Sequence, residues 1–139
     1  MQKTLSRQVK ISGIGLHSGT ESLLVLSPAP ANSGIVFSRV DLGEENIFPA
    51  LYKNVIDTRN CTCLGNENKQ IVSTIEHVMA TLYALGIDNV RIDLNNAEVP
   101  IMDGSAKVFC EMLKNVPLSE QNAKRKYLRV KRVVEFADD

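Results

Sequence analysis

Hydrophobic positions in the first half of the chain alternate with polar ones or gather in short runs, a pattern typical of β-strands. Residues 5–11 mix apolar and polar positions and predict one half-buried strand. The apolar run at residues 23–26 ends before two prolines, and residues 35–37 follow a cluster of turn-forming residues. Residues 47–52 fit a short edge strand. The sequence therefore predicts a sheet built early in the chain.

A helix is the clearest element of the second half. Ser73 and Glu76 have the spacing of a capping box, with Ser73 as the N-cap and Glu76 at N3. Apolar residues then recur at helical spacing as far as Gly86, a typical stop signal. A second helix is predicted after the turn at residues 103–105, with an apolar face formed by Val108, Phe109, Met112 and Leu113.

Between these helices, residues 90–94 alternate strictly and predict a strand with one solvated face. Residues 117–123 are interpreted as a linker, and the apolar positions from Leu128 onward predict a new strand that begins inside the basic stretch 124–132. Strands followed by helix, strand and helix, without steady βαβ alternation, predict an α+β two-layer sandwich of a mainly antiparallel sheet and two helices. Residues 1–122 would form this first domain, and residues 123–139 the linker and opening strand of a truncated second one.

Composition narrows the class of protein. The 139 residues are 44% hydrophobic and 23% charged, which is typical of a globular domain. Sixteen basic residues balance sixteen acidic ones, and tryptophan is absent, so neither a nucleic acid nor a membrane surface is an expected partner. No apolar run is long enough for a transmembrane segment. An odd count of three cysteines and no signal segment favour a reduced, cytoplasmic protein.

Glu76 and His77 are the most suggestive pair for chemistry. A carboxylate next to a histidine early in a helix can provide a general base beside a metal ligand. The spacing alone is weak evidence, because a zincin motif needs a second histidine at position 81, where the chain has Thr81. The alternative is that Glu76 only caps its helix while His77 is a surface residue.

Local spacing does not yield a full set of metal ligands. A catalytic zinc usually takes three protein ligands, and the only histidines are His17 and His77. Cys61 and Cys63 could form a thiolate pair, or they could simply pack. His17 lies between glycines and is equally compatible with a turn. Asp103 is compatible with a turn and helix cap.

Five motifs in order give the chain a family resemblance. They are Gly15-Leu16-His17-Ser18-Gly19, Asp57-Thr58 with Cys61-Thr62-Cys63, Ser73-Thr74-Ile75-Glu76-His77, Gly86-Ile87-Asp88-Asn89 and Pro100-Ile101-Met102-Asp103-Gly104-Ser105. The set resembles the UDP-3-O-acyl-N-acetylglucosamine deacetylases, zinc amidohydrolases of lipid A synthesis in Gram-negative bacteria. The resemblance spans nearly the whole chain.

The resemblance implies two similar α+β domains with the active site between them, of which this chain would be the first. It implies that His77 is the first zinc (Zn) ligand, that Glu76 is the catalytic general base, and that Cys61 lines the substrate-binding site. The other two ligands and a further histidine would belong to the missing carboxy-terminal domain. The chain alone is therefore expected to be inactive toward UDP-3-O-acyl-N-acetylglucosamine.

Two other interpretations stay open at this stage. The chain could be a non-catalytic binding or assembly module in which Glu76-His77 is only a helix start. It could also carry a metal-storage or redox site built on Cys61 and Cys63.

Overall fold

The computed structural model describes residues 1–43 and 45–137, so the last two residues of the predicted segment 123–139 lie outside the described part. The strands are β1 (Gln2–Leu5), β2 (Val9–Ile14), β3 (Glu21–Pro28), β4 (Ile35–Arg39), β5 (Ile47–Pro49), β6 (Val55–Asp57), β7 (Cys63–Gly65), β8 (Ile71–Val72), β9 (Val90–Leu94) and β10 (Leu118–Gln121). The helices are α1 (Glu76–Leu85) and α2 (Lys107–Leu113).

The main sheet has five strands in the order β2-β3-β9-β4-β5. Every neighbouring pair is antiparallel except β4 and β9, which run parallel. The strand predicted at residues 90–94 is the central one, and the predicted edge strand is confirmed as β5, although it ends at Pro49. Proline is tolerated there because an edge strand leaves one side of its backbone unpaired.

The core lies between one face of this sheet and the two helices. Alternate residues of the strands point inward, so that Leu24, Leu26, Phe37, Ile92 and Leu94 are fully buried. They form one hydrophobic cluster with the apolar faces of the helices, which contribute Val78, Leu82, Phe109 and Leu113. The predicted α+β two-layer sandwich, with a mainly antiparallel sheet and two helices, is confirmed.

Two small sheets complete the fold, and the sequence patterns did not predict them. Strands β6, β7 and β8 form an antiparallel three-stranded sheet ahead of α1. Strands β1 and β10 pair with each other, with Leu5 opposite Leu118. The interpretation of residues 117–123 as a linker is therefore wrong over β10, and the single strand predicted at 5–11 is two strands that belong to different sheets.

The strand predicted from Leu128 onward is absent, since residues 124–137 form neither helix nor strand. A strand needs a neighbour to satisfy its backbone groups, and these residues pair with none of the described strands. Their apolar side chains are largely exposed, including Tyr127, Leu128 and Phe136. The division of the chain into residues 1–122 and 123–139 stays a prediction.

The predicted capping box is wrong. Helix α1 begins at Glu76, two residues later than predicted, and Ile75 precedes it without any side-chain cap. The backbone N–H of Ser73 donates instead to the carbonyl of Ala97, because residues 73 and 98 form a parallel bridge. The predicted stop is confirmed, since Gly86 ends α1 in the left-handed conformation at φ 70°.

Neither of the two described helices is long and apolar enough to cross a membrane.

Candidate functional site at the start of helix α1

The first turn of α1 is tied to the loop that carries Cys61. The Glu76 Oε2 atom accepts a hydrogen bond of 2.9 Å from the backbone N–H of Thr62. The backbone N–H of Ile75 donates in turn to the carbonyl of Thr62 at 3.4 Å. One carboxylate oxygen of Glu76 is thus bound to the loop between β6 and β7, while Oε1 accepts no hydrogen bond from the described residues. A half-buried carboxylate with one free oxygen is chemically available to a water molecule or a substrate.

His77 follows on the same helical turn and is also half-buried. Its Nδ1 atom is buried and has no hydrogen-bond partner among the described residues. A buried ring nitrogen without a partner is uncommon, and one cause is a missing ion or water. The imidazole of His77 is therefore compatible with a role as a metal ligand, although the described residues provide no second ligand for it.

A metal site is not complete within the described residues, where no group of three His, Cys, Asp or Glu side chains is arranged to hold an ion. A catalytic zinc takes three protein ligands as a rule. His77 fits one of these positions, with Glu76 beside it as a carboxylate that does not need to coordinate. The residues present therefore fit part of a zinc site.

A buried carboxylate that the sequence analysis missed contacts the segment just before these two residues. Glu98 is 2% exposed and accepts a hydrogen bond of 3.0 Å from the hydroxyl of Thr74, two residues before α1. It also accepts from the backbone N–H groups of His17 and Ser18, at 3.0 and 2.7 Å. Burial by itself raises the pKa of Glu98, but these donors outweigh burial and hold its pKa below the usual value.

Glu98 thereby brings the turn at residues 15–19 to the start of α1. The side chain of His17 is exposed, and its contact with Glu98 is made through the backbone. Asp103 lies elsewhere, in the fifth motif, and forms a local turn with Ser105, whose N–H and hydroxyl donate to it at 3.0 and 2.9 Å. His17 and Asp103 both lie in loops of the structure. Their contacts assign no chemical step to either residue.

A small apolar cavity opens beside Glu76. It has a volume of about 210 Å³ and is bounded by Thr62 and Glu76 on its polar side. Its remaining lining is mainly apolar and comprises Ala50, Leu51, Tyr52, Val55, Leu64, Ile75 and Met79. A larger groove of about 590 Å³ runs along β5, β6 and the turn between β7 and β8, but Glu76, His77 and Cys61 do not line it. The smaller cavity is the one that adjoins the candidate chemistry.

The cysteines are all free thiols. Cys61 is half-buried in the loop held by Glu76, and Cys63 is buried at the start of β7. Burial raises the pKa of the Cys63 thiol, with smaller contributions from Cys61 and Asp57. A raised pKa lowers the fraction of reactive thiolate at Cys63.

Comparison with known proteins decides the family. The family model of UDP-3-O-acyl N-acetylglycosamine deacetylase matches residues 2–139. The chain belongs to this deacetylase family. A curated relative, the UDP-3-O-acyl-N-acetylglucosamine deacetylase of Pasteurella multocida (strain Pm70), is 47% identical over 137 residues. That alignment covers 99% of this chain but 45% of the relative, so the chain spans about half the length of the deacetylase it matches.

The sequence alone identified Glu76, His77 and Cys61 as candidate site residues. The structure brings Glu76 into contact with the loop that carries Cys61. The roles of these three residues stay predictions. Glu98 was missed because it stands alone in a short connection before Pro100, with no period or motif to distinguish it. Its partners at residues 17 and 18 are about eighty positions away.

Proposed function

We propose that this chain is the amino-terminal half of a zinc-dependent hydrolase that removes the N-acetyl group from UDP-3-O-acyl-N-acetylglucosamine during lipid A synthesis in the cytoplasm. The observation that carries the proposal is the pair Glu76 and His77 on the first turn of α1, in a chain that matches the deacetylase family over residues 2–139. The missing carboxy-terminal domain would supply the other zinc ligands, so the chain alone would be inactive.

The proposed reaction is hydrolysis of an amide by water. The free Oε1 atom of Glu76 accepts the proton of the attacking water, a role typically worth about 10²–10⁴-fold in rate. The hydrogen bond from Thr62 to the other oxygen fixes the orientation of that carboxylate. His77 would hold zinc, which supplies Lewis acidity toward the acetyl carbonyl when bound.

Cys61 would line the substrate-binding surface. It is half-buried in the loop whose backbone contacts Glu76, so a substrate that reaches Oε1 passes close to this loop.

The deciding experiment compares the chain alone with the chain joined to the carboxy-terminal part of the Pasteurella multocida relative. Zinc content after dialysis and deacetylase turnover are measured on both samples. We expect little zinc and no turnover from the chain alone, and stoichiometric zinc with turnover from the joined protein. Tight zinc with turnover from the chain alone would show that the assignment of ligands to a second domain is wrong.

In the joined protein, Glu76→Gln is expected to lower kcat by about 10²–10⁴-fold, because the amide cannot accept the proton of water. Zinc content should stay unchanged, since His77 is intact. Glu111→Gln is the matched control, because Glu111 is an exposed carboxylate on α2 and should leave kcat unchanged. Full turnover by Glu76→Gln would remove Glu76 from the mechanism and favour a helix start without chemistry.

A further inference from the structure

Glu98 has no part in the proposed chemistry, yet its carboxylate links two segments that are far apart in sequence. Its Oε1 atom accepts from the N–H of His17 and from the hydroxyl of Thr74, both at 3.0 Å. Its Oε2 atom accepts from the N–H of Ser18 at 2.7 Å. One carboxylate therefore joins the turn at residues 15–19 to the approach to α1.

Backbone hydrogen bonds on both sides of Glu98 repeat this link. Ser73 donates to the carbonyl of Ala97 at 2.8 Å and accepts from the N–H of Val99 at 3.1 Å. On the other side, the N–H of Ile101 donates to the carbonyl of Ile14 at 2.9 Å. The segment 97–101 consequently lies between the approach to α1 and the turn, with the Glu98 side chain at the centre.

A buried charge at this position has no obvious benefit for packing. Taking a carboxylate out of water is unfavourable unless donors compensate it. Here the N–H groups of His17 and Ser18 and the hydroxyl of Thr74 compensate it. What Glu98 adds is a fixed position of the turn relative to α1.

Thr74 shows why that fixed position matters for the chemistry. Its φ is 60°, in the left-handed region that β-branched residues rarely adopt. Thr74 precedes Glu76 by two residues, so this unusual conformation sets the direction in which α1 starts. The hydrogen bond to Glu98 is the contact of the Thr74 side chain that holds the conformation.

We propose that Glu98 is a positioning residue of the deacetylase site: its buried carboxylate locks Thr74 and the turn at residues 15–19 together, and thereby aims Glu76 and His77 into the site. This assignment rests on the proposed function. It gives Glu98 no contact with substrate or metal, and its effect passes through Thr74 to the first turn of α1.

The test measures kcat and KM of Glu98→Gln in the joined protein, expressed per folded molecule at a temperature well below unfolding. The amide keeps the length of the side chain but places a donor where the N–H groups need an acceptor. We expect kcat to fall about 10- to 100-fold, the loss typical of a misplaced catalytic group, with KM changed much less. Glu98→Asp keeps the charge and should recover part of kcat, whereas Glu111→Gln should have no effect.

Gly15→Ala tests the same contact without removing the charge. A Cβ at Gly15 would lie 2.5 Å from Glu98 Oε2 and would also clash with the Ser18 hydroxyl. The φ of Gly15 is outside the left-handed region, so alanine strains its contacts with Glu98 and Ser18 and not the backbone. This variant should lower kcat in the same direction, and it replaces the Glu98 variants if they do not fold.

A merely structural role would reduce the folded fraction and leave kcat per folded molecule intact. Unchanged kcat in the folded variants, beside a Glu76→Gln variant that has lost turnover, would overturn the role of Glu98 and leave the proposed function standing. Full turnover by Glu76→Gln would instead overturn the proposed function itself.

Discussion

Two carboxylates near the start of α1 differ in how much of their hydrogen-bonding capacity is used. Within the described part of the chain, Glu76 accepts one hydrogen bond, from Thr62, and Oε1 accepts none. Glu98 accepts from His17, Ser18 and Thr74 and has donors on both oxygens. To take up a proton, Glu98 would have to break contacts with its donors. The local geometry thus separates a candidate base from a structural anion.

The lowered pKa of Glu98 makes a prediction for stability against pH. A carboxylate whose pKa is lower when folded stabilises the protein above its unfolded pKa, which is near the ordinary value of 4.5. This contribution is lost as pH falls through the folded pKa. The difference in unfolding free energy between the wild type and Glu98→Gln should therefore be largest at neutral pH and shrink below about pH 4.5.

Urea unfolding of both proteins at a series of pH values measures this difference. Contributions from other titrating groups cancel when the two proteins are compared at each pH. Glu111→Gln serves as the control, because Glu111 is exposed and its substitution should leave the curve parallel to that of the wild type. A gap that stayed constant into acid would mean that the Glu98 carboxylate is not stabilised in the folded protein.

At the residue scale, residues marked by a local sequence pattern could be predicted. Residues whose role depends on contacts with distant parts of the sequence were missed. Glu76 and His77 are adjacent and start a strongly periodic helix, so they could be selected from the sequence. The role of Glu98 depends on hydrogen bonds from the backbone amides of residues 17 and 18, and no local sequence pattern connects these positions to it. Thr74 was interpreted as part of a helix start, although its φ of 60° excludes it from the helix.

At the scale of elements, α1 has one buried face and one solvated face, and neighbouring residues test this division. Leu82 is fully buried in the cluster between sheet and helices, while Tyr83 is 88% exposed. Leu82→Ala should lower the free energy of unfolding by about 2–5 kcal/mol, because it removes buried methyl groups and leaves a cavity. Tyr83→Ala should change it by less than about 0.5 kcal/mol.

Chemical denaturation of the two variants measures both values. Alanine has the higher helix propensity in either case, so the difference between the variants reports packing and not the tendency to form α1. Equal losses would mean that α1 does not pack as described.

Helices and strands could be predicted where the hydrophobic pattern repeats over many residues. The prediction failed where the element is too short for the pattern to repeat. The strand at residues 90–94 alternates over five positions, and both it and α1 were predicted. Strands β6, β7 and β8 have three residues or fewer, which is too short for a period. Strand β10 is mostly polar and has no fully buried residue. It forms because β1 lies beside it and not because its own pattern requires a strand.

At the scale of the whole molecule, the end of the chain differs from the rest. The β1–β10 sheet closes the fold, and Arg125 still contacts Asp88 through an ion pair of 2.7 Å. Residues 126–137 then form no helix or strand and expose a series of apolar side chains. Exposed apolar surface of this kind marks a contact region in a soluble protein. Because the deacetylase relative is about twice as long, we expect its further part to cover these residues.

Limited digestion with trypsin tests this expectation, since the segment contains exposed Lys126, Arg129, Lys131 and Arg132. In the chain alone, these bonds should be cut first, because no ordered element protects them. In the protein joined to the carboxy-terminal part, cleavage of this segment should be slower, because the added part would cover its backbone. The internal control is Arg7, which is exposed in the turn between β1 and β2, outside the candidate site, and should be cut at the same rate in both. Earliest cleavage within residues 1–122 in both proteins would contradict the predicted boundary near residue 122, since the segment beyond it would then be as ordered as the domain itself.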